Sequence, residues 1–319
     1  METILVPLDG SDLSALALPY ADLFSRLQQA EVRLLHVVTE GDRQDFVVER
    51  ERLTKLTTPT GTITPNSPWA LQLHADAYLE QAAAKLHAEG LQVQTEVAYG
   101  TPVEAIVAVA ERCAASMIVM GTHGRGGLGR WLIGSVAHSV MRLTAVPVLA
   151  VRSPASEQPA LRRIMVPLDG SPLAREALPL ALNLAERSGA TLVLLTVLTP
   201  QIGLDPSIMP QPGPAAKNAL REQLLHELDT FVPDRQHIPM QTVIGEGMVG
   251  ETICHEAEQH AADLIIMTSH GQSGLHHFAL GSATDRVLHG THVPVLVLHS
   301  RTHSAAVAAI QGRKLHSTN

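Results

Sequence analysis

Ile4-Leu5-Val6-Pro7-Leu8-Asp9-Gly10-Ser11 returns as Ile164-Met165-Val166-Pro167-Leu168-Asp169-Gly170-Ser171, with seven of eight residues identical at an offset of 160. In both copies a short apolar run ends at an acid, a glycine and a serine, which reads as a buried strand leaving into a turn. Farther along the offset becomes 147: His123-Gly124 returns as His270-Gly271, Gly134-Ser135 as Gly281-Ser282, and Val146-Pro147-Val148-Leu149 as Val293-Pro294-Val295-Leu296. The fall from 160 to 147 leaves the second copy thirteen residues shorter in its middle. One domain is duplicated in tandem.

Working outward, domains are expected at 1–152 and 162–300, with a linker at 153–161 and a tail at 301–319. The linker, Ser153-Pro154-Ala155-Ser156-Glu157-Gln158-Pro159-Ala160, is small, polar and proline-rich. A length of 319 residues agrees with two domains of roughly 150 residues each. Apolar residues are 45% and charged residues 17%, enough for a core in each half without metals or disulfides.

The net charge of −8 argues against broad phosphate neutralisation on nucleic acid. An aromatic content of 3% leaves few platforms for stacking bases. Runs such as Leu192 to Leu198 are too short to span a bilayer. The expectations are no nucleic acid, no membrane and a cytoplasmic protein, since Met1-Glu2-Thr3 enters a strand directly and Cys113 and Cys254 lack metal-ligand spacing.

Within the first copy strands are predicted at Thr3–Leu8, Val32–Val38, Leu91–Tyr99, Met117–Met120 and Pro147–Val151, and helices at Leu13–Gln28, Trp69–Ala88, Val103–Ala114 and Ser135–Leu143. Such alternation calls for an α/β fold with a mostly parallel sheet covered on both faces. Pro19, matched by Pro179, falls inside the first helix and predicts a kink or a delayed start. Proline-rich loops, Thr57-Thr58-Pro59-Thr60-Gly61-Thr62 and Pro206 through Pro214, read as flaps or as tolerated insertions.

In an open parallel sheet a ligand sits beyond the carboxyl ends of the strands where the winding reverses. Asp9 follows the first strand, and Gly121-Thr122-His123-Gly124-Arg125-Gly126-Gly127-Leu128-Gly129 follows the fourth and leads to Gly134-Ser135. Glycines let backbone N–H groups approach a ligand, and a helix start adds unpaired donors and partial positive charge, a combination suited to phosphate. Asp9 would instead accept from a base or a sugar hydroxyl.

The spacing Gly121, two residues, Gly124, nine residues, Gly134-Ser135 resembles the nucleotide motif of the ATP-binding branch of the universal stress protein family. Val6-Pro7-Leu8-Asp9-Gly10-Ser11 and Val146-Pro147-Val148-Leu149 resemble its first and last strands. The resemblance implies two tandem domains, each a five-stranded parallel sheet in the order 3-2-1-4-5 with helices on both faces, an adenine nucleotide alpha hydrolase-like fold. It implies ATP, with or without magnesium: Asp9 and the backbone of Val37 and Met120 at the adenine, Pro7 and Gly121 near the ribose, and Gly124, Gly134, Ser135 and Val136 at the phosphates, with Leu8 also counted among the binding residues and Arg125 as a charge that could assist phosphate. It also implies that the closing strands of the two halves pair, an internal pseudo-dimer; a homodimer of the whole chain is a further option.

The second copy carries Pro167, Asp169, Val197, Met267, Gly271, Gly281 and Ser282 at matching positions, but Thr268 replaces Gly121 and Gln272 replaces Arg125. If that position needs positive φ, a Cβ costs about 1–2 kcal/mol, so a weaker second site is expected. His123 and His270 read as loop or phosphate hydrogen-bonding groups sooner than general bases. No Gly-Lys-Ser/Thr of a P-loop occurs. Twelve of the seventeen histidines lie in the second half, but their scatter implies no metal site. The expected function is a non-catalytic, or very slowly hydrolysing, ATP-binding stress-response protein with a protein partner that the residues do not identify. The alternative is a slow ATPase or nucleotidyl hydrolase using Asp9 and His123.

Overall fold

The structure, a computed structural model, describes residues 1–40, 57–58, 61–62, 68–122, 133–152, 158–199, 213, 215, 218–219, 222–223, 237–269 and 280–299. The chain divides into two compact units, Met1–Gln158 and Pro159–Asn319. Most of the linker, the tail, Pro59, Thr60 and all of Pro206 through Pro214 except Gly213 lie outside the described residues.

The first unit runs β1 (Thr3–Pro7), α1 (Asp12–Ala15), α2 (Ala17–Gln28), β2 (Glu31–Val38), β3 (Thr57–Thr58), β4 (Gly61–Thr62), α3 (Pro68–Ala88), β5 (Val93–Tyr99), α4 (Pro102–Arg112), β6 (Met117–Gly121), α5 (Ser135–Leu143) and β7 (Val148–Val151). Its main sheet has the order β7-β6-β1-β2-β5, every pair parallel. In the order of the main strands along the chain this is 3-2-1-4-5. The second unit runs β8 (Arg163–Pro167), α6 (Pro172–Arg175), α7 (Leu178–Ser188), β9 (Thr191–Leu198), β10 (Met240–Glu246), α8 (Val249–Gln259), β11 (Leu264–Thr268), α9 (Ser282–Gly290) and β12 (Val295–Leu298). Its order, β10-β9-β8-β11-β12, repeats the first, again all parallel.

Burial follows the layers. Every residue of β1 is buried, as a central strand covered on both faces requires, whereas the edge strand β5 keeps Gln94, Thr95 and Glu96 less covered. The helix predicted over Leu13–Gln28 is two helices with a break at Leu16. In one continuous helix the Pro19 ring would strike the Ala15 carbonyl; starting α2 at Ala17 moves Pro19 into the first turn, where its missing N–H has no intrahelical acceptor to lose. Pro179 sits likewise in the first turn of α7. The segment Thr57–Thr62, expected to be irregular, contains an antiparallel pair, Thr57 opposite Thr62 and Thr58 opposite Gly61.

One polar difference between the two sheets centres on Glu96. Arg33 of β2 places Nη1 3.0 Å from Oε2 of Glu96 on β5, and Arg112 of α4 bonds the other oxygen of Glu96. The registers Arg33↔Gln94 and Val193↔Gln241 put Val193 and Val243 at the corresponding places in the second unit. Beside this network burial pushes the Cys113 thiol above its ordinary range, outweighing the opposing pull of the Arg33 charge.

Candidate functional site

β1 lies between β2 and β6, and the winding reverses between β1 and β6. At the carboxyl end of β1 the Leu8 N–H donates to Leu35 O at 2.8 Å, carrying the pairing one residue past Pro7. The Leu8 side chain is in the core, so only its backbone can face a ligand. Asp9 then turns the chain. Its Oδ1 accepts from the Ser11 N–H at 2.9 Å and the Ser11 hydroxyl at 2.5 Å, and its own N–H donates to Ser14 Oγ at 3.3 Å. Ser11 Oγ in turn accepts from the Ser14 N–H at 3.1 Å and caps α1. Gly10, at φ +84°, supplies the left-handed step that a side chain would strain. One oxygen of Asp9 therefore serves to shape the bend that carries it.

Gly121 closes β6 opposite this bend. A Cβ there would stand 2.5 Å from the Leu13 carbonyl oxygen and 3.2 Å from Ser14 Cα. Its φ is not among the positive values, so the conditional argument from left-handed geometry does not apply. Glycine is needed because the backbone of α1 presses on it, and the close approach it permits is to the chain itself. Thr268, at the matching place, is buried. The Pro172–Arg175 turn must therefore leave room that Asp12–Ala15 does not.

Beyond the loop, Gly134 at φ −57°, ψ 141° is the N-cap of α5 and offers no side chain to cap it. The Gly134 N–H donates to Thr122 O, closing the loop at its neck. That amide is committed; the donors left by the geometry of a helix start are those of Ser135, Val136 and Ala137. Ser135 is exposed and Val136 half-buried. Continuing the registers from Pro7↔Leu35 and Leu5↔Ile118 sets Asp9 level with Val37 and Met120 level with Pro7. Pro7, Leu8, Asp9, Val37, Met120, Gly121, Gly134, Ser135 and Val136 thus gather at one edge. His123, Gly124 and Arg125 lie outside the described residues.

Two contributors escaped the sequence reading. His36, 8% exposed on β2, places Nδ1 2.8 Å from Leu8 O, and its ring stands edge-on to Tyr78 of α3 at 5.8 Å. The other is Ser14, which ties Asp9 N to Ser11 O. The only available signal was strand periodicity, which turns His36 into the core among valines and leucines.

In the second unit Ser171 N donates to Asp169 Oδ1 at 2.9 Å, and the Gly281 N–H donates to Ser269 O at 2.6 Å, repeating the bend and the neck. Pro167 ends its strand and Val197 and Met267 stand one residue before the ends of theirs, as Pro7, Val37 and Met120 do, and Ser282 opens α9. Ala174 and Thr196 replace Ser14 and His36, and Asp169 is exposed where Asp9 is half-buried. His270, Gly271 and Gln272 lie outside the described residues. Among the described residues no three His, Cys, Asp or Glu side chains are grouped to hold a metal ion, and no helix is long and apolar enough to cross a membrane.

Comparison with known proteins agrees with this layout. A universal stress protein of Mycobacterium tuberculosis strain H37Rv is 31% identical over 214 residues, covering 65% of this chain and 69% of the relative. One from Mycolicibacterium smegmatis is 26% identical over 302 residues, covering 93% and 97%. The crystal structure of a universal stress protein from Archaeoglobus fulgidus shares the fold, with a TM-score of 0.67 at 23% identity over 93% of this chain and 98% of that one. Residues 1–152 and 160–299 both match the universal stress protein family, and the chain belongs to it.

Proposed function

We propose that the protein binds an adenine nucleotide, ATP foremost, at the β1–β6 edge of its first half, without committed turnover, and that occupancy biases its association with a protein partner in the cytoplasm. The observation that carries this reading is the uncapped start of α5, tied by the Gly134–Thr122 bond to the exit of β6 and so held at the edge where the Asp9 bend leaves β1. The residues fit such a ligand. First-turn amides of Ser135 and Val136 suit phosphate oxygens, helped by the partial positive charge of the helix start. The Val37 and Met120 backbones and Asp9 lie level with the strand ends, where a flat base would rest. A carboxylate only accepts hydrogen bonds, which suits Asp9 to a sugar hydroxyl or a base N–H.

In this reading the chain's own residues bind and orient the nucleotide. Asp9 Oδ1 already accepts two hydrogen bonds from Ser11, which makes it an anchor. Magnesium, when present, would travel with the phosphates and supply charge neutralisation. Phosphate contacts that differ between two states of the protein would shift its population by differential affinity. Mass spectrometry of nucleotide retained through gentle purification, followed by titration and a phosphate-release assay, tests the reading. Retained or titratable ATP with background release supports it. No uptake sinks it, and release that an alanine at His123 abolishes would favour the hydrolase alternative.

A further inference from the structure

The β1–β2 ladder stops one rung early, and a side chain takes the place of the missing rung. From Glu31 N donating to Glu2 O at 2.9 Å to Leu8 N donating to Leu35 O at 2.8 Å, the parallel pairing alternates between the strands. The next rung would run from the Val37 N–H to Leu8 O; among the described residues it is not made. Leu8 O instead faces His36 Nδ1 at 2.8 Å. A carbonyl only accepts, so Nδ1 carries the hydrogen. A buried carbonyl demands a partner, and the imidazole meets that demand from within β2, which spares the Val37 N–H the task. The ring reaches Leu8 because Tyr78 packs edge-on against it and His36 is buried on the face opposite Val37.

We propose that His36 is a positioning residue for nucleotide binding: by holding Leu8 O it keeps the end of the ladder open, fixes the bend that carries Asp9, and leaves the Val37 N–H for an acceptor on the ligand. This rests on the nucleotide reading above. It also deepens the asymmetry between the halves, because Thr196 stands at this place in the second unit and Ala174 replaces the other clamp, Ser14.

The test uses the full chain with His36→Asn, His36→Gln and His36→Leu. Asparagine carries its amide nitrogen at the δ position, where Nδ1 donates; glutamine carries it one bond farther, and leucine has no donor. ATP affinity should stay within about threefold of wild type for His36→Asn and fall about five- to tenfold for the other two, the size of one net hydrogen bond. Amide hydrogen exchange at Val37 should slow in His36→Leu, as Val37 N–H closes the ladder onto Leu8 O. A purely structural role predicts the reverse order, with the smallest side chain, asparagine, weakest in both affinity and urea midpoint. That order, or three variants that bind like wild type, overturns the proposal. Should wild type take up no ATP, the nucleotide reading and with it the positioning role fall, while unchanged Val37 exchange in His36→Leu shows separately that the clamp is wrong.

Discussion

Replacing Gly121 by alanine would put a methyl carbon 2.5 Å from Leu13 O, 3.1 Å from Leu13 C and 3.2 Å from Ser14 Cα. All three neighbours are backbone atoms, so no flexible side-chain end can swing away. Carbon and oxygen rest at more than about 3 Å, and α1 would have to retreat by several tenths of an ångström. That movement pulls on Ser14 and Ser11, whose bonds define the Asp9 bend. Overpacking of this kind costs roughly 1–3 kcal/mol. Trp69 and Trp131, the two tryptophans of the chain, both belong to the first half, so their fluorescence reports the unfolding of that half. With a urea slope of about 2 kcal/mol per molar, a loss of about 2 kcal/mol lowers the midpoint by about 1 M. Thr268→Gly in the second half should also destabilise, by removing a buried side chain and freeing the backbone. A Gly121→Ala midpoint within about 0.2 M of wild type would refute the claim that backbone contact with α1 selects this glycine.

The Glu96 network gives a second expectation. Glu96→Val leaves Arg33 and Arg112 without their shared carboxylate and should cost about 1–3 kcal/mol, whereas Arg33→Val with Glu96→Val, the pair the second half uses, should recover at least half of that by the same urea assay; additive losses would contradict it. Cys113 gives a third. Its thiol is raised by burial, so in a Cys254→Ser background it should react with a thiol reagent more slowly than an exposed cysteine at about pH 8, and the rate should still be rising above the ordinary value of 9.0. The sign for stability follows: the folded thiol ionises later than the unfolded one, so its contribution is full below the unfolded value and is lost as pH rises through the folded value. A labelling rate that levels off below the ordinary value would contradict the burial.

The duplicated strand Ile4–Leu8 carried most of the fold, because an apolar run, a turn and an amphipathic helix repeated at two offsets leave few arrangements other than tandem parallel sheets. Pro19 announced the helix break, since its missing N–H and its ring clash are local facts. What stayed hidden depends on pairs far apart in the chain. Nothing near Gly121 says that Leu13 will lie against it, so its glycine read as ligand approach or unusual φ. The commitment of the Gly134 amide to Thr122 needed the neck of the loop, not its composition. His36 in an apolar strand looks like an ordinary buried histidine until the unmade rung beside it is seen. The halves differ in sequence at Thr268 and Gln272, where the difference was read, and also at Ala174 and Thr196, where it was not.

Phosphate capture by the first turn of α5 can be tested with two substitutions at one position. Gly134 already has the extended backbone that precedes proline, φ −57° and ψ 141°, and proline suits the first position of a helix. Ser135→Pro therefore removes the amide donor together with the hydroxyl, while Ser135→Ala removes the hydroxyl alone. Calorimetric titration of the full chain with ATP should show Ser135→Pro binding at least about tenfold more weakly than Ser135→Ala, the value of one charge-assisted bond, with adenosine affinity equal in the two variants. Equal ATP affinity for the two variants, or a wild-type chain that takes up no ATP, would contradict the account.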